Sequence, residues 1–151
     1  MLLEHLLVGE LLRHLWVNEA EHIEVLRPQV DDNGYDLVME CGSVVRHVQL
    51  KASHKSASTN HVKVQLALGA KPSGCVIWAL FDADSFELGP FRWFGGAPGK
   101  PLPDISDFKV AKHTKADSTG TKAERPNLRQ VPKGKFQQLG SIAELAQALF
   151  G

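Results

Sequence analysis

The chain has almost no cysteine, no surplus charge of either sign and no long apolar run. Cys41 and Cys75 are the only cysteines in 151 residues. Two thiols without metal-ligand spacing make neither a disulfide framework nor a zinc site. Both are therefore expected as buried, reduced thiols of a reducing compartment. Seventeen basic residues meet seventeen acidic ones, so whole-chain charge says nothing about a polyanionic partner, and only its distribution is informative. No stretch approaches the roughly 18 apolar residues of a membrane span. Residues Met1 to Trp16 are apolar, but Glu4 and His5 stand where the basic region of a signal peptide belongs, and Glu10 and Arg13 interrupt its apolar segment. A cytoplasmic protein with no membrane contact is expected. There is also no glycine-rich phosphate loop, dinucleotide fingerprint or nucleophile elbow.

What is present is an ordinary globular composition, 43% hydrophobic, at the length of one domain with one core. Leu2 to about Val17 predicts a helix: Glu4, Leu7, Val8, Leu11, Leu12 and Leu15 fall on one stripe. Glu4 is thus an acid on an apolar face. Strands are expected at Ile23–Leu26, Tyr35–Cys41 and Val44–Lys51, the last two joined as a hairpin. The turn signal Asp31-Asp32-Asn33-Gly34 precedes that hairpin. The polar run Ser53–Asn60 reads as a loop, and Thr59 or Asn60 as the cap of a helix reaching Ala70. Cys75–Asp82 is a continuous apolar run, as in a strand covered on both faces. Phe91–Phe94 and, weakly, Phe108–Lys112 read as strands. Thr114–Lys135 has no clear period. Ser141-Ile142-Ala143-Glu144 opens a last helix with a capping-box pattern, ending at Phe150. The expectation is a single α/β domain over 1–151, with a mixed β-sheet flanked by helices. Its core would span about residues 1–95, followed by a basic C-terminal extension over about 100–151.

The chemistry is concentrated in the hairpin. Alternation puts Val48 and Leu50 on one face of its second strand, Gln49 and Lys51 on the other. In a hairpin the start of the first strand meets the end of the second, so Asp36 converges on Gln49 and Lys51. A carboxylate, an amide oxygen and an ammonium at one point suit phosphodiester hydrolysis. Mg²⁺ (or Mn²⁺) needs only one or two carboxylates besides water and phosphate. It polarises the phosphoryl group and activates water, while a lysine neutralises developing charge.

Gly34-Tyr35-Asp36 followed by Gln49-Leu50-Lys51, behind a helix carrying an acid, resembles the PD-(D/E)xK superfamily of nucleases in its resolvase-like branch, over about residues 1–82. The resemblance implies a restriction endonuclease-like core and metal-dependent endonuclease activity on DNA. Asp36 and Gln49 would be metal ligands, and Asp36, Gln49, Lys51 and Glu4 the catalytic set. In resolvase-like members the helical Glu is followed by apolar residues three and seven positions on. Glu4 fits with Leu7 and Leu11, whereas Glu10 does not. Gln49 departs from the family pattern, where a carboxylate is usual. A neutral amide lowers the expected metal affinity and supports a second expectation: a catalytically degenerate module on the same fold, binding nucleic acid or a protein partner.

Residues 109–135 hold eight Lys or Arg against two acids, a local surplus suited to tracking phosphates. Lys122, Arg125 and Arg129 are the candidate nucleic-acid contacts. The run Lys122–Pro132 and the Leu-Phe-Gly tail are also similar to small bacterial proteins of this nuclease-like group. A two-fold dimer would let one such protein cut both strands of a duplex, and the apolar Phe91–Phe94 segment is the candidate dimer face.

Overall fold

The first helix, α1 (Leu2–Glu19), buries Leu7, Leu11 and Leu15, a ridge with a spacing of four. Val8 packs partly against the same core, while Leu12 leaves the expected stripe for the surface. This computed structural model describes residues 2–30 and 32–151. Met1 and Asp31, the latter the first residue of the expected turn, lie outside the described residues. The rest of that turn is present, with Gly34 at φ +82°. A Cβ there would also sit 2.8 Å from Gln65 Cβ, so both the backbone and the close approach require glycine.

After β1 (Glu24–Leu26), the hairpin forms from β2 (Leu37–Cys41) and β3 (Val44–His54). β3 is longer than expected. Ser53 and His54 extend it into the polar run because it pairs in parallel with β5 (Gly74–Phe81) as far as Phe81, and Ser53 Oγ accepts the Trp78 indole N–H at 3.0 Å. β6 (Leu88–Gly95) pairs antiparallel with β5, and the short β9 (Gln137–Leu139) with β6. The main sheet is therefore mixed, in the order β1-β2-β3-β5-β6-β9.

The expected helix over about 60–70 is instead a strand, β4 (His61–Gln65), followed by a 3₁₀ turn, Leu66–Ala70. Val62 and Val64 point inward and alternate with His61, Lys63 and Gln65, a period of two that favours a strand once a partner exists. The partner is β8 (Glu124–Pro132), from the stretch without clear period. β8 also pairs with β7 (Val110–Lys112), giving a second sheet in the order β4-β8-β7.

The layers follow from alternation. On one face of the main sheet Leu37, Met39, Val48, Cys75, Ile77, Ala79, Phe91 and Trp93 meet α1 and the last helix, α2 (Ile142–Phe150). On the other face Val76, Trp78 and Phe94 meet Val62, Val64 and Val131 of the second sheet. β5 supplies both cores, as its unbroken apolar run predicts. Helices thus cover one face only, and a sheet covers the other. Residues beyond about 100 do not form an appendage. They provide β7 and β8 of the second sheet, an edge strand of the main sheet, and α2.

Ser141 caps α2, its Oγ accepting from the Glu144 N–H at 3.2 Å. The return bond of the capping box goes one residue early, from Gly140 N–H to Glu144 Oε2 at 2.6 Å. Phe91, Trp93 and Phe94 are 1%, 5% and 7% exposed. They fill the two cores between β5 and β9 and present no dimer face, because β6 is an inner strand. Among the tryptophans only Trp16 is on the surface, at 63%, beside exposed Val17. Cys41 and Cys75 are free and buried. Burial pushes the Cys75 thiol up to about 12, with Arg46 pulling weakly the other way. Among the described residues no helix is long and apolar enough to cross a membrane.

Candidate functional site

β2 stops pairing at Leu37, opposite Val48, while β3 runs on to His54. Beyond Val48 one edge of β3 is therefore uncovered by β2. Asp36 sits at this step. Its N–H donates to Val48 carbonyl at 2.8 Å, and its Oδ2 accepts the Leu50 N–H at 2.7 Å. The carboxylate takes over a bond that the ladder would otherwise supply, which fixes it against the open edge.

The first turn of α1 overhangs the same edge. Leu3, Glu4 and Leu7 of α1, with Asp36, Leu50, Lys51 and Ala52 of the hairpin and Ala79 of β5, line a pocket of about 260 Å³. Glu4, Asp36 and Lys51, separated by up to 47 positions in sequence, thus line one pocket. Glu10 lies in a different surface cleft, with Arg13, His14, Val17, Asn18 and Ile142.

The strand alternation is as expected. Val48 is in the helix-side core and Leu50 packs against it. The neighbours of Gln49 and Lys51 across β5 are Val76 and Trp78, in the opposite core. Gln49 is 7% exposed and does not contribute to the pocket wall. Its Oε1 is buried with no hydrogen-bond partner, an unmet acceptor of the kind native interiors rarely leave.

Glu4 is held by a residue that the sequence reading passed over. Arg27, immediately after β1, donates from Nε to Glu4 Oε1 at 2.7 Å. The Glu4 side chain is 16% exposed and that of Arg27 is 42% exposed. Nothing local marks Arg27: it precedes Pro28 at a strand end, 23 residues from its partner, and only the packing of α1 over β1 and β2 joins them. A second arginine lies near the start of β3. Arg46 is fully buried, and its signal in the sequence is a charge in the apolar phase of β3, with Val48 and Leu50.

The candidate nucleic-acid contacts are on the second sheet, away from this wall. Lys122 is exposed in the loop before β8, and Arg125 is exposed on β8. Arg125 borders a shallow cleft with Gln65, His113 and Asn127. Arg129 is opposite Val64 and Val110, and its guanidinium donates to the carbonyls of Ser106, Pro126 and Leu128. It braces the 104–108 loop against β8. Lys63 Nζ reaches the Lys112 carbonyl across the same sheet at 3.2 Å.

Among the described residues no three of His, Cys, Asp and Glu form a metal-ligand cluster. Among the described residues, the acids lining the pocket are Glu4 and Asp36. No protein-family model matches this chain, and no curated protein sequence matches it.

Proposed function

We propose that the chain is a divalent-metal-dependent nuclease with a restriction endonuclease-like core, acting on DNA at the Glu4–Asp36–Lys51 pocket. The observation that carries this reading is the shared pocket. Glu4 of α1, Asp36 just before β2 and Lys51 of β3 line one pocket at the uncovered edge of β3. A hard cation fits this chemistry, because the donors lining the pocket are the carboxylate oxygens of Glu4 and Asp36. Glu4 and Asp36 would hold such an ion, whereas Gln49, expected as a ligand, faces the opposite core and does not line the pocket.

When bound, the ion would supply Lewis acidity and an activated water. The remaining work falls to the chain. Asp36, pinned by the Leu50 N–H, holds its carboxylate in one orientation. Lys51 offers an ammonium to the phosphoryl oxygens on which charge develops. Leu3, Leu7 and Leu50 give the pocket an apolar side that limits water. The exposed Lys122 and Arg125 would hold the flanking backbone of the nucleic acid, sequence-independently and with strong salt dependence.

The test is incubation with supercoiled plasmid and with single-stranded DNA in Mg²⁺, Mn²⁺ or EDTA. Metal-dependent cleavage is expected, reduced at least about a hundredfold by Lys51→Ala. Cleavage that survives Lys51→Ala and Asp36→Ala would remove the basis of the proposal. One observation favours a second reading, a non-cutting module on this fold. Gln49 is neutral and outside the pocket wall, so the cation site has one charge fewer than its pattern calls for. Binding to DNA that persists in EDTA, without cleavage in either metal, would select that reading.

A further inference from the structure

We infer that Arg27 is an exchangeable counter-ion of the pocket, holding the Glu4 carboxylate until a divalent cation displaces it. This rests on the reading of the pocket as a cation site. The pair is asymmetric in burial: the carboxylate is largely enclosed, at 16% exposure, while its partner is 42% exposed. An enclosed carboxylate left without a cation carries a large desolvation cost. An exposed guanidinium that swings away regains water and loses little. The burial pattern therefore keeps Glu4 in place and lets Arg27 leave.

The contact itself is weak enough to exchange. It is a single Nε–Oε1 bond, not the two-bond fork that makes arginine–carboxylate pairs persistent. Arg27 follows a strand of three residues at the edge of the main sheet, so its side chain can move without moving the core. Charge points the same way. With Arg27 in place, Glu4, Asp36, Lys51 and Arg27 sum to zero. With a divalent ion in its place the set carries one positive charge, matched to one phosphodiester. The displaced guanidinium remains at the rim, where its planar donors suit phosphate oxygens.

Mn²⁺ binding, measured by calorimetry on the full chain at low ionic strength, tests this without relying on cleavage. Arg27→Gln should bind Mn²⁺ roughly two- to fivefold more tightly than the wild type, the scale of an exposed ion pair. Arg27→Lys, which keeps the charge, should stay near the wild type. The gain should vanish when Arg27→Gln is combined with Glu4→Gln. A structural ion pair predicts the opposite sign, because losing it would loosen Glu4 and weaken binding. Unchanged or weaker binding in folded Arg27→Gln overturns the inference and leaves the nuclease reading standing if the wild type still cuts. A gain without cleavage upholds the counter-ion and removes the nuclease. No Mn²⁺ binding by any folded variant overturns both.

Discussion

β3 carries a charge towards each end, and the two are handled in opposite ways. Arg46, near the start, is completely enclosed. Its Nε donates to Leu149 carbonyl at 2.7 Å, and its Nη2 to Gly96 and Ala148 carbonyls at 2.9 and 3.0 Å. The guanidinium lies 5.1 Å from the Trp93 ring centroid. Two of the three acceptors belong to the last turn of α2, where unpaired carbonyls concentrate partial negative charge. Burial lowers the Arg46 pKa, and it makes no ion pair among the described residues. Five residues on, Lys51 lines an open pocket with two carboxylates, one of them held by an exposed arginine. A charge surrounded by main-chain acceptors fastens elements together, because those acceptors cannot move. Charges facing other side chains across a pocket can change partners, which binding and catalysis require.

The comparison breaks first at Arg46. Arg46→Ala would leave the buried Leu149 carbonyl and the half-buried Gly96 and Ala148 carbonyls without this donor and a cavity beneath Trp93, so urea denaturation should show a loss of roughly 3–5 kcal/mol. A loss under about 1 kcal/mol would mean that the α2 clamp contributes little. Asp36 joins both roles, since it bears the site's charge and also completes the edge of β3. Asp36→Ala strands the Leu50 N–H and should cost about 1–2 kcal/mol. Asp36→Asn, which keeps an acceptor oxygen, should restore most of that stability while leaving the proposed cleavage abolished.

Lys51→Ala should change stability by no more than about 0.5 kcal/mol while removing the proposed cleavage. A large destabilisation would move Lys51 into the structural class with Arg46. The smallest effect at neutral pH belongs to Cys75, beside Arg46. Its thiol ionises near the ordinary 9.0 when unfolded and at about 12 when folded. The unfolded state therefore loses its proton first. Stability is full below pH about 9 and declines from there towards 12. Cys75→Ala should flatten that alkaline slope in pH-resolved denaturation, and an unchanged slope would show that Cys75 does not drive it.

Much of the main sheet was legible in the sequence because its signals are local. The apolar run of β5, the alternation of β3, the α1 ridge and the Ser141 cap each report a constraint within a few residues. The convergence of Asp36, Gln49 and Lys51 was expected from the hairpin and Glu4 from a resemblance; of these, Gln49 does not line the pocket. Arg27 was not legible, because its role exists only where α1 crosses β1. Nor was Arg129's, since its carbonyl partners include Ser106 on a loop that β8 reaches only after folding.

Sequence by itself determined the mixed α/β character and the buried strand, since periodicity and spacing are properties of the chain. Tertiary structure decided that 61–65 is a strand and that a second sheet covers the face without helices. It decided too which charges stay enclosed and which can exchange. Each of these depends on partners distant in sequence: Val62 and Val64 become a strand only beside β8, and Arg46 becomes a clamp only when α2 presents its carbonyls.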